Sequence, residues 1–274
     1  VHPQIPLPLH LYGADRLNSK GWDLNHDATL HLIQQAVEND AAPLLVKPMV
    51  HGLSANASAQ MLQTLVNPAN HSQVLGTLEH ASADTIEMAL QAADAFASTW
   101  AQTSPSKRAE CLEKSADLLE AETLKCISLL VREAGKTWAH AVAEVREAVD
   151  FLRYYAAQVR RDFSPSSHQA LGPVVCISPW NFPLAIFVGQ VSAALAVGNP
   201  VLAKPAEQTT GIAALAVQLM WQAGVPTSAL QLLPGFGKTV GNALVQDARV
   251  QGVLFTGSTE TAKLLQLNLS QRLN

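Results

Sequence analysis

From residue 172 to the end of the chain, short continuous apolar runs alternate with helix-like runs. Residues 172–178, 200–203, 229–233 and 250–256 are β-rich and apolar on both sides. Residues 182–197, 208–223, 239–245 and 259–267 carry helical spacing, and Gly224 closes the second of these. A strand that is apolar at every position must be covered on both faces, which is the condition of a parallel sheet wrapped by helices. The back half therefore reads β-α-β-α-β-α-β-α, an α/β fold with a Rossmann-like parallel sheet. Ligands of such folds bind beyond the carboxyl ends of the strands.

The front half reads differently. Residues 82–160 are helical text. Ser82 caps a run containing Asp84 and Glu87 in its first turn, and Ser104-Pro105 is a second start signal. From that start Leu112, Leu118, Leu119 and Leu124 continue one apolar stripe. A third helix covers about 136–160, with Val142, Val145, Val149, Leu152, Tyr155 and Val159 inward and Glu144, Arg146, Glu147 and Arg153 on the solvated side. Residues 1–63 are mixed and rich in Pro, Asn, Gly and Ser, with one amphipathic helix near 28–38. They read as a connector from an upstream domain, with 64–274 as the main domain. A turn at Asn67-Pro68 precedes an edge strand at 73–78. The chain opens on Val rather than Met, and the text near Leu264–Leu269 reads as a helix still under way; both features are expected of an internal piece of a longer polypeptide.

With 48% hydrophobic and 15% charged residues in 274, the chain can bury a large core, and a net charge of −4 with no Lys/Arg-dense patch excludes a nucleic-acid surface within this chain. Three cysteines without paired spacing fit a reducing, cytoplasmic compartment. Nine single histidines and no HExxH pattern give no metal site. The longest apolar stretch, 182–197, is interrupted by Pro183, Gly189, Gln190 and Ser192 and falls short of the roughly 20 residues a bilayer span needs.

Chemistry-bearing groups sit where strand text gives way to helix text. Lys204 and Glu207 flank Pro205, which keeps Lys204 out of helical geometry. A carboxylate there can accept from both hydroxyls of a ribose, the ammonium can donate to the same sugar, and the carboxylate repels a 2′-phosphate, favouring NAD over NADP. The plainer alternative is a helix-start Glu beside a surface Lys. Gly257-Ser258 precedes a helix whose free amides suit a phosphate, or is an ordinary cap. Residues 235–241 form a Gly-rich turn matching neither GxGxxG nor a Walker A loop, since position 232 is Leu. Asn181, between Trp180 and Phe182-Pro183, can donate to a developing oxyanion or serve only as a turn residue. Trp180 reads as a packing residue. Cys176 lies in an apolar strand, and Cys111 and Cys126 lie on helix text without a neighbouring His; none reads as a nucleophile.

Taken together, Pro179-Trp180-Asn181-Phe182-Pro183, Lys204-Pro205-Ala206-Glu207, Pro234-Gly235-Phe236-Gly237 and Phe255-Thr256-Gly257-Ser258 resemble the cofactor-binding half of the aldehyde dehydrogenase superfamily, over about residues 64–274. Residues 132–136 (Arg-Glu-Ala-Gly-Lys) and 151–155 (Phe-Leu-Arg-Tyr-Tyr) fit that family's amino-terminal helices. The text at 172–187, and Leu11–Gly21, is similar to the glutamate-semialdehyde (pyrroline-5-carboxylate) dehydrogenase modules of bifunctional bacterial proline-utilization enzymes.

The resemblance implies NAD as cofactor, held by Ile177, Pro179, Trp180, Lys204, Glu207, Gly237, Gly257 and Ser258. Asn181 would contribute to the oxyanion hole, and Glu133 would approach the substrate. It implies oxidation of glutamate γ-semialdehyde to glutamate in proline catabolism. FAD is confined to an upstream proline dehydrogenase domain outside this chain, and the parent would be a homo-oligomer. The family's nucleophilic Cys and general-base Glu match no residue here, so the chain alone is expected to be inactive. Two alternatives stay open: the same fold acting on another aldehyde, and a non-catalytic remnant.

Overall fold

The computed structural model describes residues 2, 4–40, 42–54 and 61–272. Residues 1 and 3 of the Pro-rich opening, 41 and 55–60 of the expected connector, and 273–274 therefore lie outside the described residues.

Two sheets organise the chain. The first is three-stranded, with β1 (Leu44–Val46) parallel to β3 (Asn70–Glu79) and β2 (Leu62–Asn67) antiparallel to it, in the order β1-β3-β2. The strand expected at the edge is thus the central one. Gly76 explains why: its φ is 156°, and a Cβ there would stand 2.0 Å from the Leu44 carbonyl oxygen, so only glycine lets β1 close on β3. Three residues are enough for β1 to dock, too few to show as alternation in the text.

The helical layer begins with α1 (Asp27–Asn39), which packs on α4 (Thr123–Ala134) and buries Ile33. Then α2 (Ala83–Gln102) and α3 (Pro105–Ala121) start at Ser82 and Ser104, whose side chains accept from Thr85 and Lys107 amides. The single stripe expected through Leu112 and Leu124 is two helices, α3 and α4, broken at Glu122, where φ and ψ are −90° and 18°. Gly135, left-handed at φ 64°, ends α4, and Thr137 caps α5 (Trp138–Asp162). Two side chains assigned to the solvated face of α5 are buried instead: Glu144 and Arg153 each find partners on other elements.

The second sheet contains β4 (Val174–Ile177), β5 (Val201–Lys204), β6 (Leu230–Leu232) and β7 (Gly252–Phe255), all parallel, in the order β6-β5-β4-β7. Its apolar strands split cleanly between two cores. Val174, Cys176, Val201, Ala203, Leu230 and Leu232 face the core that holds Phe187 and Val191 of α6 (Ala185–Ala196) and Ile212 and Val217 of α7 (Thr210–Gln222). Val175, Leu202 and Leu233 face Ile86, Leu90 and Ala93 of α2 and Leu244 of α8 (Asn242–Gln246). Both faces of β4, β5 and β6 are covered, as unbroken apolar text requires, whereas β7, at the end of the sheet, is half-buried at every residue. A π-helical turn over Gly237–Gly241 leads into α8, and α9 (Thr259–Gln271) follows β7. The chain runs outward from β4 to β5 and β6, then returns to place β7 on β4's other side, so the strand order reverses at β4.

Candidate functional site

Sheet register brings three of the turns to one place. Ile177, the last residue of β4, lies opposite both Lys204 of β5 and Phe255 of β7. The three strands therefore end level, and the chain beyond them is stitched by Ser178 N–H to the Lys204 carbonyl (3.3 Å) and Thr256 N–H to the Ile177 carbonyl (3.1 Å). With strands about 4.8 Å apart, the turns after β5 and β7 flank the one after β4 at about 5 Å on either side. This edge is also where the strand order reverses, the position at which open α/β sheets bind ligands.

Lys204 is the final residue of β5 rather than one just beyond it. Its ammonium lies 3.3 Å from Glu207 Oε2 and is nearly enclosed, while the Glu207 side chain keeps 22% of its surface exposed. Burial lowers the Lys204 pKa, and the Glu207 charge opposes that shift. Ser258 caps α9 by accepting from the Thr261 amide at 3.2 Å, which is the ordinary cap, and its hydroxyl also lies 3.2 Å from the Thr261 hydroxyl, at an exposed helix start. A Cβ on Gly257 would press to 2.6 Å on the Phe255 ring.

The Gly-rich turn constrains a different glycine from the one singled out in the sequence. Gly235 has φ 146°, and a Cβ there would meet Val240 at 2.5 Å; a Cβ at Gly237 meets nothing within 4 Å. Gly237 borders open space, which allows close approach but does not demand it.

Asn181 is exposed, and its amide has no hydrogen-bond partner among the described residues. Trp180 is 58% exposed, not packed as expected, because the turn lifts it off the β4 end; Ile177 and Pro179 are half-buried below it. Glu133 is put to another use than the expected one. It is buried, with Oε1 and Oε2 accepting the Gly211 and Ile212 amides at 2.8 Å each, so it caps the start of α7 from the end of α4. Burial raises its pKa to about 7 against the pull of those two amides. All three cysteines are buried, Cys176 as its apolar strand text requires; burial pushes the Cys126 thiol up to about 12 and raises Cys111 and Cys176 as well.

One site residue escaped the sequence. His80, at the end of β3, lies edge-on to Phe236 with ring centroids 4.6 Å apart, and its Nε2 is 2.8 Å from Gln63 Oε1. Burial lowers its pKa, the Glu207 charge raises it and Lys204 lowers it, so it shares the field of that pair. Nothing in the surrounding text marks it, since its neighbours come from β2 and the loop after β6. The donors and acceptors at this edge fit a dinucleotide: an ammonium–carboxylate pair for a ribose diol, a helix start for phosphate, and a free amide at the strand between them.

The sequence matches the model of the aldehyde dehydrogenase family over residues 55–274. It is 51% identical to the bifunctional protein PutA of Klebsiella aerogenes, over all of this chain and 21% of that protein, so the chain spans about a fifth of its relative's length. In structure it is similar to proline utilization A of Bdellovibrio bacteriovorus (TM-score 0.87, 29% identity, 93% of this chain and 28% of that one). It is likewise similar to a Thermus 1-pyrroline-5-carboxylate dehydrogenase with bound NAD (TM-score 0.85, 30% identity, 92% of this chain and 51% of that one). The level strand ends and the turns they carry are thus those of a protein that belongs to the aldehyde dehydrogenase family.

Proposed function

We propose that this chain is the cofactor-binding and oxyanion-stabilising part of an NAD-dependent dehydrogenase that oxidises glutamate γ-semialdehyde to glutamate, within a bifunctional proline-catabolic protein. The observation that carries the reading is the register that sets Ile177 opposite both Lys204 and Phe255. It brings Lys204 and Glu207, the start of α9 and the turn of Asn181 to one edge. The substrate follows from the relatives, a bifunctional PutA and a 1-pyrroline-5-carboxylate dehydrogenase with bound NAD.

In this reading Lys204 and Glu207 hold the adenosine ribose, and the Glu207 carboxylate disfavours a 2′-phosphate. Ser258 and the Gly257 amide hold the pyrophosphate beside Trp180, with Ile177 and Pro179 below and Gly237 leaving room for the adenine. NAD supplies hydride acceptance when bound. The Asn181 amide donates to the carbonyl oxygen as negative charge gathers there, an interaction typically worth about 10²–10³ in rate. The attacking thiolate comes from outside the described residues, because the three cysteines here are buried and hard to ionise. The unpaired cysteines favour a cytoplasmic setting, and the parent protein is proposed to be a homo-oligomer with its FAD on the proline dehydrogenase side.

Calorimetric titration of the chain with NAD and NADP tests the cofactor part. Binding of NAD with at least a tenfold preference over NADP is expected. No heat with NAD, or equal affinity for the two, overturns it. The substrate part is tested in the full-length gene product: NADH formation from glutamate γ-semialdehyde should exceed that from simple aliphatic aldehydes.

A further inference from the structure

The turn that carries Asn181 has no cap of its own. Leu184, at the N-cap of α6, offers no side-chain acceptor, so the first amides of that helix depend on another element. Glu144 of α5 supplies it. Its Oε1 accepts the Leu184 amide at 2.8 Å and the Ala185 amide at 3.3 Å. Its Oε2 lies 2.6 Å from the Lys136 ammonium, and that ammonium sits 3.9 Å from the centre of the Phe182 ring. Glu144 is fully buried and Lys136 nearly so.

These contacts bracket Asn181. Phe182, next in sequence, rests on Lys136, and the helix start two residues further on is pinned by the carboxylate that Lys136 pairs with. Lys136 is itself fixed, lying between left-handed Gly135, which ends α4, and Thr137, which caps α5. A buried ion pair is a poor source of stability, since desolvation offsets most of its attraction and an apolar pair of similar volume often does as well. What it supplies here is direction. A carboxylate at a helix start also opposes the helix dipole favourably.

We propose that Lys136 and Glu144 are positioning residues for the Asn181 amide, forming a buried strut that fixes the turn after β4 so that the amide points at the developing oxyanion. The proposal rests on the oxyanion role of Asn181 given above. The strut acts on rate more than on cofactor affinity, because Lys204, Glu207 and Ser258 lie on other turns and only Pro179 and Trp180 of the cofactor-binding set share the turn of Asn181.

The test is a double-mutant cycle in the full-length enzyme, with Lys136→Met, Glu144→Gln and Asn181→Ala, together with Lys136→Arg. Lys136→Met should lower kcat about 10- to 100-fold, the scale on which a misplacement near 1 Å acts, with a much smaller change in NAD affinity. Lys136→Arg should recover most of the loss. In the Asn181→Ala background, Lys136→Met should lower kcat less than about twofold, because the group it orients is gone. Hydrogen exchange of the Leu184 and Ala185 amides should speed up about tenfold in Glu144→Gln.

An equal kcat loss from Lys136→Met with and without Asn181, or a loss of kcat matched by a loss of NAD affinity, overturns the proposal. So does unchanged exchange at Leu184 and Ala185. Should Lys136→Met fail to fold, Glu144→Gln carries the same cycle, with Lys136→Arg as the conservative control. A wild-type enzyme that makes no NADH from the aldehyde sinks the functional reading of Asn181; the amide exchange still decides whether the strut holds the turn.

Discussion

The Lys204 ammonium lies 3.3 Å from Glu207 Oε2, across the proline that ends β5, and the lysine is nearly enclosed while the glutamate is not. The asymmetry gives the two residues separate tasks. Lys204 is held by burial and has one carboxylate to face, so it fixes Glu207 in place. Glu207 keeps an open side for a ligand.

Glu207→Gln removes the charge and one of two equivalent acceptors. Hydrogen bonds to charged groups are each worth about 1.5–3 kcal/mol, so NAD affinity should fall about 10- to 100-fold. NADP should lose less, since the repulsion of its 2′-phosphate goes too. Titration of wild type and variant with both dinucleotides measures this; a variant that loses NAD and NADP affinity by the same factor would show that Glu207 does not discriminate.

How far this site was legible depends on the kind of signal. The turns after β4, β5 and β7 stand out as breaks between apolar strands and helices, so the text marks the positions of Asn181, Lys204, Glu207 and Ser258, and the sheet brings their turns to one edge. Caps were equally legible: Ser82, Ser104 and Ser258 all accept where expected. What failed was whatever depends on a distant partner. Glu144 and Arg153 alternate with apolar residues on α5 as solvated charges do, and only the packed fold reveals Lys136, Asp117 and Glu120 beside them. Glu133 follows the same rule, since its partners are backbone amides 78 and 79 residues on. The central place of β3 hinges on one glycine, Gly76, whose role appears only once Leu44 lies against it.

Glu133 makes stability depend on pH. Its folded pKa is raised to about 7 from an ordinary value of 4.5, chiefly by burial. The folded state therefore holds this proton more tightly than the unfolded one, and the stabilisation is fully present below about 4.5 and lost as pH rises through about 7. At 1.36 kcal/mol per pKa unit the loss is at most about 3 kcal/mol across that window. Urea denaturation at pH 5, 6 and 7.5 should show a midpoint that falls from this group, and Glu133→Gln, which cannot titrate, should remove that part of the slope. A variant with the wild-type slope would assign the pH dependence elsewhere.

Arg108 is a buried cation with no carboxylate paired to it among the described residues. Its guanidinium donates to the Ala196 carbonyl through Nε at 2.7 Å, and through Nη1 to the carbonyls of Ala101 and Thr103. These are the carboxyl ends of α6 and α2, where dipoles present partial negative charge. Two helix ends thus serve as its counter-ion. Arg108→Met fills the space yet leaves several carbonyls without a donor, each worth about 1–3 kcal/mol. A loss of about 3–5 kcal/mol is expected, or roughly 10 °C in Tm for a chain of this size. Arg108→Lys should recover little, because one ammonium cannot span the fork. Thermal unfolding of the two variants reads this directly; a Lys variant as stable as wild type would refute the two-helix role.

Asp150 ties the amino-terminal segment to α5. Its Oδ1 accepts from Arg16 Nη1 at 2.9 Å and from the Ser19 amide at 3.0 Å, and its Oδ2 accepts from the Ser19 hydroxyl at 2.7 Å. Beside it the Asn18 carbonyl takes a hydrogen bond from Arg153 Nη1 at 3.1 Å, so residues 16–20, whose single apolar side chain, Leu17, is exposed, are held by polar contacts on one helix face. Local opening of such a segment is governed by few interactions, and losing two or three of them should favour it by about 2 kcal/mol. Asp150→Ala should therefore raise the rate of tryptic cleavage after Arg16 or Lys20 by about 10- to 30-fold while leaving the global Tm within a few degrees. Cleavage there at the wild-type rate would mean that the segment is held by its apolar contacts, Leu9 and Trp22 among them, rather than by the carboxylate.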